Sequence, residues 1–252
     1  MKDIDLPPVQ RLTGPDATQI AHRYAAGRGP LIVFLPGYMS DMAGGKATAV
    51  MSDAMARGRA CLLLDYSGCG LSDGDFADGT LSRWRDEVLA LIEHVGGGPV
   101  VLAGSSMGGW LMLLIAKALI AKGTPVHALV GIAAAPDFID WGYSKEQTAT
   151  LERGEIWYED NIYGPEPTPY HPAFHADAKG HLLLSEPIEL TCPVRLLHGQ
   201  NDPDVPWQTS LMVAEKLTGD DVHIHLVKDG DHRLSRESDI ALLLSIVREV
   251  AA

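Results

Sequence analysis

The segment Gly104-Ser105-Ser106-Met107-Gly108 places a serine at the centre of a short turn bounded by glycines. Apolar residues 100–103 precede the turn and predict a strand, and the apolar run after it predicts a helix. Such a turn presents Ser106 clear of the fold, because the glycines remove side chains that would clash. A serine hydroxyl attacks a carbonyl carbon only beside a base. We interpret Ser106 as a nucleophile, against the alternative of an ordinary strand-turn-helix with small residues for packing.

Two further residues in the second half of the chain can complete this chemistry. Asp202 follows the apolar run 194–197, and His232 lies in a glycine-containing loop after the run 222–227. A nucleophilic serine needs a histidine as base and an acid that orients the histidine. The order Ser106, Asp202, His232 therefore predicts a catalytic triad. Asp204 is the alternative acid, although its position also suits the cap of the helix that follows.

The same mechanism requires two amide groups that stabilise a developing oxyanion. The amide of Met107 lies directly after the nucleophile, at the start of the predicted helix. The amide of Tyr38 follows Pro36-Gly37, at the end of the apolar run 31–35. We predict that these two amides form the oxyanion hole; an ordinary Pro-Gly turn is the alternative at Tyr38.

Strand-like and helix-like segments alternate along the chain, which predicts an α/β protein with a mostly parallel, doubly wound sheet. A parallel sheet binds ligands at the carboxyl ends of its strands, where the candidate residues lie. No change of composition divides the 252 residues, so we expect one domain over residues 1–252. The formal net charge of −13 disfavours nucleic acid and anionic membrane surfaces as partners. No run of about 18 apolar residues predicts a membrane span.

Residues 136–185 interrupt this pattern with aromatic residues, prolines and scattered charge. Long insertions at the carboxyl ends of strands are usually functional, and the aromatic residues argue against disorder. We expect a lid over the site, with an apolar pocket for the acyl part of a substrate. For Trp110, on the predicted nucleophile helix, ordinary core packing is at least as good an interpretation. The candidate pocket residues are Met39, Trp110, Trp141, Trp157 and Tyr158.

With these residues in place, the chain from residue 31 onward resembles the α/β-hydrolase superfamily. The segments that carry the resemblance are FLPGYMSDMAGGKA, LLLDYSGCGLSDG, AGSSMGGW, CPVRLLHGQNDPDVPW and DGDHRLS. They are similar to the mitochondrial palmitoyl-protein thioesterase and acyl-glucuronide esterase group of that superfamily. The resemblance implies an α/β-hydrolase fold with a short lid insertion, and it implies Ser106, Asp202 and His232 as nucleophile, acid and base. It is weakest in residues 136–185, where substrate choice would be set.

These observations predict a serine hydrolase that cleaves carboxylic esters or thioesters of a small molecule or an acylated protein through an acyl-enzyme. No cofactor is expected, and no metal site, since the sequence lacks pairs of histidines at ligand spacing. The same triad can serve carbon–carbon bond hydrolysis or perhydrolysis, and the same fold can be a non-catalytic ligand receptor. The N-terminus lacks a signal or transit pattern, and the three cysteines fit free thiols, so we expect a cytoplasmic location.

Overall fold

A large β-sheet forms the centre of the computed structural model, which describes residues 5–162 and 164–252. The strands of the described residues are β1 (Gln10–Thr13), β2 (Gln19–Ala25), β3 (Arg28–Leu35), β4 (Arg59–Leu64), β5 (Val100–Ser105), β6 (Val126–Ile132), β7 (Trp157–Glu159), β8 (Thr168–Tyr170), β9 (Val194–Gly199) and β10 (Val222–Val227). Eight of them form the central sheet, in the order β1-β2-β4-β3-β5-β6-β9-β10.

Helices connect the parallel strands of this sheet, because parallel neighbours require a crossover connection. β1 and β2 pair antiparallel, and β2 pairs antiparallel with β4. The remaining pairs, from β4 to β10, are parallel. The predicted mostly parallel α/β architecture is confirmed. The helices are α1 (Gly45–Ala56), α2 (Leu81–His94), α3 (Met107–Ala121), α4 (Phe138–Trp141), α5 (Lys145–Glu152), α6 (Pro172–Ala178), α7 (Gln208–Lys216) and α8 (Glu237–Val250).

The core lies on both faces of the sheet, as the apolar sequence of β3 shows. Leu31, Val33 and Leu35 pack into one apolar cluster, together with residues of α2 and α3. Ile32 and Phe34 pack into a second cluster, with residues of α1 and α8. Successive side chains of a strand point to opposite faces, so a strand covered on both sides must be apolar throughout. This two-sided burial fixes the ends of the central strands, and with them the loops that carry the candidate site.

The insertion at residues 136–185 contains α4, α5, α6 and a two-stranded antiparallel ribbon of β7 and β8. Ile139 and Phe174 bury their side chains in the cluster that also contains α2 and α3. Asp137 closes the base of the insertion, because its carboxylate accepts hydrogen bonds from the amides of Leu183 and Leu184. The insertion therefore packs against α2 and α3 through apolar side chains, and hydrogen bonds from Asp137 join its first residues to its last ones.

The length and hydropathy of the helices also bear on membrane insertion. Within residues 5–162 and 164–252, no helix is both long enough and apolar enough to cross a bilayer.

Cys61 and Cys69 are buried free thiols, and burial raises the pKa of each to about 12.

Candidate active site

Ser106 lies at a strained turn between β5 and α3. Its backbone has φ 55° and ψ −122°, a conformation that non-glycine residues rarely adopt. Its amide donates to the Ile132 carbonyl oxygen at 2.9 Å. A Cβ added at Gly104 would lie 2.2 Å from the carbonyl oxygen of Gly108, and one added at Gly108 would lie 2.2 Å from that of Leu35. Only glycines at these positions allow α3 to begin against β3 and β5, which fixes the serine at the carboxyl edge of the sheet.

His232 connects Ser106 to Asp202 through its two ring nitrogens. Nε2 of His232 lies 3.1 Å from Oγ of Ser106, and Nδ1 lies 2.8 Å from Oδ2 of Asp202. The loop that carries His232 approaches β9 closely, because a Cβ added at Gly199 would lie 2.3 Å from the carbonyl oxygen of Gly230. The structure thus brings together the serine, histidine and aspartate of the predicted triad, from the ends of β5, β9 and β10.

Asp202 supplies the carboxylate that contacts Nδ1 of His232, at 2.8 Å. The Asp202 side chain is fully buried, and its Oδ1 accepts hydrogen bonds from the amides of Asp204 and Val205 at 2.9 and 2.8 Å. Burial acts to raise the pKa of Asp202, but hydrogen bonds from His198 and His232 outweigh it and hold the pKa well below its usual range. Asp204 is not the N-cap residue of α7, since that helix begins directly after Trp207, whose side chain makes no capping hydrogen bond.

His198 is a residue of this site that sequence analysis did not identify. It lies one residue before the end of β9 with no solvent exposure, and its Nε2 lies 3.2 Å from Oδ2 of Asp202. Its Nδ1 lies 2.8 Å from Oγ of Ser210, which is buried on α7. The only available signal was its position four residues before Asp202 in the segment HGQND. A histidine at a strand end is more often structural, so that signal was weak.

Met107 and Tyr38, the residues predicted to supply the oxyanion-hole amides, both lie close to Ser106 along the chain or in space. Within the part of the chain that the structure describes, neither amide donates to another residue. Met107 is the first residue of the 15-residue helix α3, where amides have no intrahelical partner. Gly37 brings the Tyr38 loop to the serine, because a Cβ added at Gly37 would lie 3.3 Å from Cβ of Ser106. This arrangement can stabilise negative charge at a substrate oxygen.

The Tyr38 side chain joins this loop to the insertion. Its hydroxyl donates to the carbonyl oxygen of Pro169 at 2.9 Å, and its ring stacks on Tyr170 with centroids 5.3 Å apart. Edge-to-face contacts with Phe138 and Phe174 add to the packing. Burial raises the pKa of the Tyr38 hydroxyl far above its usual range, so the hydroxyl stays protonated and remains a donor. The insertion therefore packs against the residue that is predicted to supply the second oxyanion-hole amide.

The predicted pocket residues differ in how far they are exposed. Trp110 is fully buried on α3, and its indole nitrogen donates to the carbonyl oxygen of His181 at 3.0 Å. This burial favours the alternative of core packing, because α3 is apolar on nearly all sides; contact of Trp110 with a substrate stays a prediction. Met39 is half exposed beside Tyr38.

The other three candidates for the pocket lie in the insertion. Trp141 is partly buried and donates to the Pro136 carbonyl oxygen at 2.7 Å. Trp157 is partly buried on β7, and Tyr158 beside it is exposed. Their contact with a substrate stays a prediction.

One group of side chains has the composition of a metal site. Asp202, Asp204 and His232 each offer one ligand atom, and these atoms lie within 4.8 Å of one another. Both oxygens of Asp202 already accept hydrogen bonds, and Nδ1 of His232 is one of the donors. Because these atoms are engaged with each other, we assign the group to the serine–histidine–aspartate arrangement and not to a metal.

Comparison with known proteins places this chain among hydrolases. Residues 32–243 match the sequence profile of the "Alpha/beta hydrolase family". Human mitochondrial palmitoyl-protein thioesterase ABHD10 is 39% identical over 244 residues, which are 95% of this chain and 78% of the human protein. A protein from Agrobacterium vitis S4, known from a crystal structure, shares 37% sequence identity with this chain. The two structures match with a TM-score of 0.91 over 97% of this chain and 100% of that one. Mouse alpha/beta hydrolase domain-containing protein 10 shares 40% identity with a TM-score of 0.86, covering 96% and 97%.

The same comparison corrects the expected location. Human, mouse and orangutan relatives that match 95% of this chain are all named mitochondrial. The prediction of a cytoplasmic location is therefore wrong. Its physical basis was insufficient, because buried free thiols indicate a reducing environment without identifying a compartment.

Proposed function

Because the chain belongs to the alpha/beta hydrolase family and is a hydrolase, we propose that it cleaves acyl thioesters and esters with Ser106, His232 and Asp202 as a catalytic triad. The observation that carries this proposal is the continuous contact from Ser106 Oγ to His232 Nε2 at 3.1 Å and from His232 Nδ1 to Asp202 Oδ2 at 2.8 Å. The similarity to palmitoyl-protein thioesterase ABHD10 supports a thioester of a fatty acid as the substrate class.

In the acylation step, Ser106 Oγ attacks the carbonyl carbon of the substrate while its proton passes to Nε2 of His232. Asp202 holds the imidazole with its proton on Nδ1 and stabilises the positive charge that develops on the ring. The lowered pKa of Asp202 keeps that carboxylate ionised throughout the neutral range. The carbonyl oxygen becomes an oxyanion, and the amides of Met107 and Tyr38 donate hydrogen bonds to it.

Collapse of the tetrahedral intermediate breaks the bond to the leaving group. His232 returns its proton to the leaving sulfur or oxygen, and the acyl group stays on Ser106 as an ester. Water then attacks this ester, with His232 as base again, and the carboxylic acid leaves. A thiolate is the better leaving group, so this cycle suits thioesters as well as oxygen esters.

The insertion at residues 136–185 is the part of this proposal that concerns substrate choice. Its ribbon and α6 contact Tyr38 directly, and the exposed Tyr158 and Met39 add apolar surface near that contact. We assign the insertion as a lid that receives the acyl chain. Chain-length preference measured with p-nitrophenyl esters tests this assignment, and a strict preference for acetyl would contradict it.

Hydrolysis of a matched pair of substrates, an octanoyl ester and the corresponding octanoyl thioester, tests the proposed function. We expect turnover of both by the wild-type protein, with higher kcat/KM for the thioester. Ser106→Ala is expected to lower kcat by about 10⁶, because members of a triad act as a unit. Ser105→Ala removes the neighbouring hydroxyl and serves as the matched control, with activity retained.

Each outcome separates a different part of the proposal. Cleavage of the ester alone would keep the triad and exclude the thioester preference. Equal activity in Ser106→Ala and wild type would overturn the assignment of the nucleophile. Absence of turnover with either substrate, together with no labelling by a fluorophosphonate, would favour a ligand receptor on the same fold.

A further inference from the structure

His198 is the second histidine on the triad aspartate. Nε2 of His198 and Nδ1 of His232 both contact Oδ2 of Asp202, at 3.2 and 2.8 Å. The His198 side chain is entirely shielded from solvent, as is that of Asp202. A carboxylate oxygen shared by two imidazoles distributes its negative charge between them.

The neighbours of His198 determine which ring nitrogen carries its proton. Nε2 lies between two acceptors, Oδ2 of Asp202 and the carbonyl oxygen of Val205 at 3.1 Å, so this nitrogen must be a donor. In the neutral ring Nδ1 is then an acceptor, and the hydroxyl of Ser210 at 2.8 Å is its donor. The hydrogen bonds therefore run in one direction, from Ser210 through His198 to Asp202.

We infer that His198 is a positioning residue that, with Ser210, sets how strongly Asp202 supports the charge on His232. This inference rests on the proposed triad. The carboxylate is already oriented by the amides of Asp204 and Val205. The distinct contribution of His198 is thus electrostatic: its N–H draws charge from Oδ2, which limits the stabilisation of the imidazolium form of His232.

Three other charged side chains lie close to His232, and variants at His198 or Ser210 leave all three unchanged. The Asp204 carboxylate lies within 4.8 Å of the ligand atoms of Asp202 and His232. Asp231 and Arg233 flank His232 in the chain. A difference in pH profile between variants at His198 or Ser210 therefore reports the hydrogen bonds from Ser210 to His198 and from His198 to Asp202.

The test is the pH profile of kcat/KM with the octanoyl ester for His198→Leu, His198→Gln and Ser210→Ala. Without the His198 donor, Asp202 binds the protonated His232 more strongly, so the acidic limb of the profile should move to higher pH by about half a pH unit or more. His198→Gln places an amide donor near the position of Nε2 and should restore most of the wild-type profile. Ser210→Ala should move the limb in the same direction by a smaller amount.

A proton NMR measurement supplies a readout that a purely structural role would not move. The Nδ1 proton of His232 should shift in His198→Leu and return toward its wild-type position in His198→Gln. His223→Gln, at an exposed histidine of β10, is the matched control and should change neither the profile nor the resonance. Thermal melting identifies variants that fail to fold.

An unchanged acidic limb and an unchanged resonance in folded His198→Leu would overturn the inference. Should that variant not fold, the same two unchanged results in Ser210→Ala would overturn it. Ser106→Ala in the same assay separates this failure from failure of the triad: an active Ser106→Ala would overturn both, whereas an inactive one with unchanged His198 variants would overturn only the role of His198.

Discussion

Both carboxylate oxygens of Asp137 lie within hydrogen-bond distance of the amide of Leu183, at 2.9 and 2.8 Å. One of these oxygens also accepts from Leu184 at 2.7 Å. The two ends of the insertion are therefore fastened to each other by one buried side chain. Asp137 has φ 57°, a left-handed conformation that Asp tolerates better than most residues.

Asp137→Ala is expected to destabilise the protein, because the buried amide of Leu183 and the partly buried amide of Leu184 lose their acceptor, and Ala is less favourable at this φ. The free energy of unfolding should fall by about 1–3 kcal/mol, measured by urea denaturation. Asp140→Ala changes an exposed carboxylate in the same segment, and its effect should stay within about 0.5 kcal/mol. Equal unfolding free energies of the two variants would show that the Asp137 hydrogen bonds do not contribute to stability.

Tyr38→Phe tests the contact between the insertion and the serine loop. The variant keeps the backbone amide and the ring but loses the hydrogen bond to Pro169. We expect faster amide hydrogen exchange in β7 and β8, because the ribbon loses a fixed point on the domain. Tyr158→Phe, at an exposed tyrosine of β7, is the control and should leave exchange unchanged. Identical amide hydrogen exchange in the two variants would show that the hydrogen bond from Tyr38 to Pro169 does not stabilise the ribbon.

Gly108→Ala tests the packing that positions the turn at Ser106. The added Cβ would lie 2.2 Å from the carbonyl oxygen of Leu35, so α3 must move away from β3. Stability should fall by about 1–3 kcal/mol, and kcat should fall with it because the serine is displaced. Gly45→Ala adds a Cβ with no atom within 4 Å and should preserve both quantities. Wild-type kcat in a folded Gly108→Ala would argue against this role.

Asp202→Asn should change how stability depends on pH. The hydrogen bonds from the two histidines lower the pKa of Asp202 in the folded state against the opposing effect of burial. A carboxyl group with a lowered folded pKa stabilises the protein above its unfolded pKa of about 3.9, and that stabilisation is lost as pH falls further. The difference in unfolding free energy between wild type and Asp202→Asn should therefore shrink as pH is lowered from about 6 to 3.

Asp204→Asn provides the comparison for this pH series and for activity. Asp204 is exposed, whereas the Asp202 side chain is buried and contacts Nδ1 of His232. Asp202→Asn should lower kcat by about 10⁴, as expected when the histidine loses the partner that fixes its tautomer. A larger loss of activity in Asp204→Asn than in Asp202→Asn would exchange their roles.

The central strands, and the three residues that meet at the carboxyl edge of the sheet, could be predicted from the sequence. The alternation of β3 between two cores requires a continuous apolar run, and parallel strand ends bring residues such as Ser106 and His232 together over long chain distances.

The remaining features depend on contacts that local sequence does not encode. The hydroxyl of Tyr38 finds its acceptor 131 residues further along the chain, inside the irregular insertion. Trp110 is an aromatic residue near the nucleophile, and its burial involves contacts with Phe138 and His181 of the insertion, which lie far from it in the chain. His198 has the local pattern of a structural histidine, and its contact with Asp202 depends on the turn that follows β9.

Covalent labelling tests the central claim, the nucleophilic role of Ser106, most directly. Wild type, Ser105→Ala and Ser106→Ala would each be incubated with a fluorophosphonate and weighed intact by mass spectrometry. The proposed triad predicts a single adduct on wild type and on Ser105→Ala, and none on Ser106→Ala. An adduct of equal extent on Ser106→Ala, or its loss in Ser105→Ala alone, would contradict the assignment of Ser106 as the nucleophile.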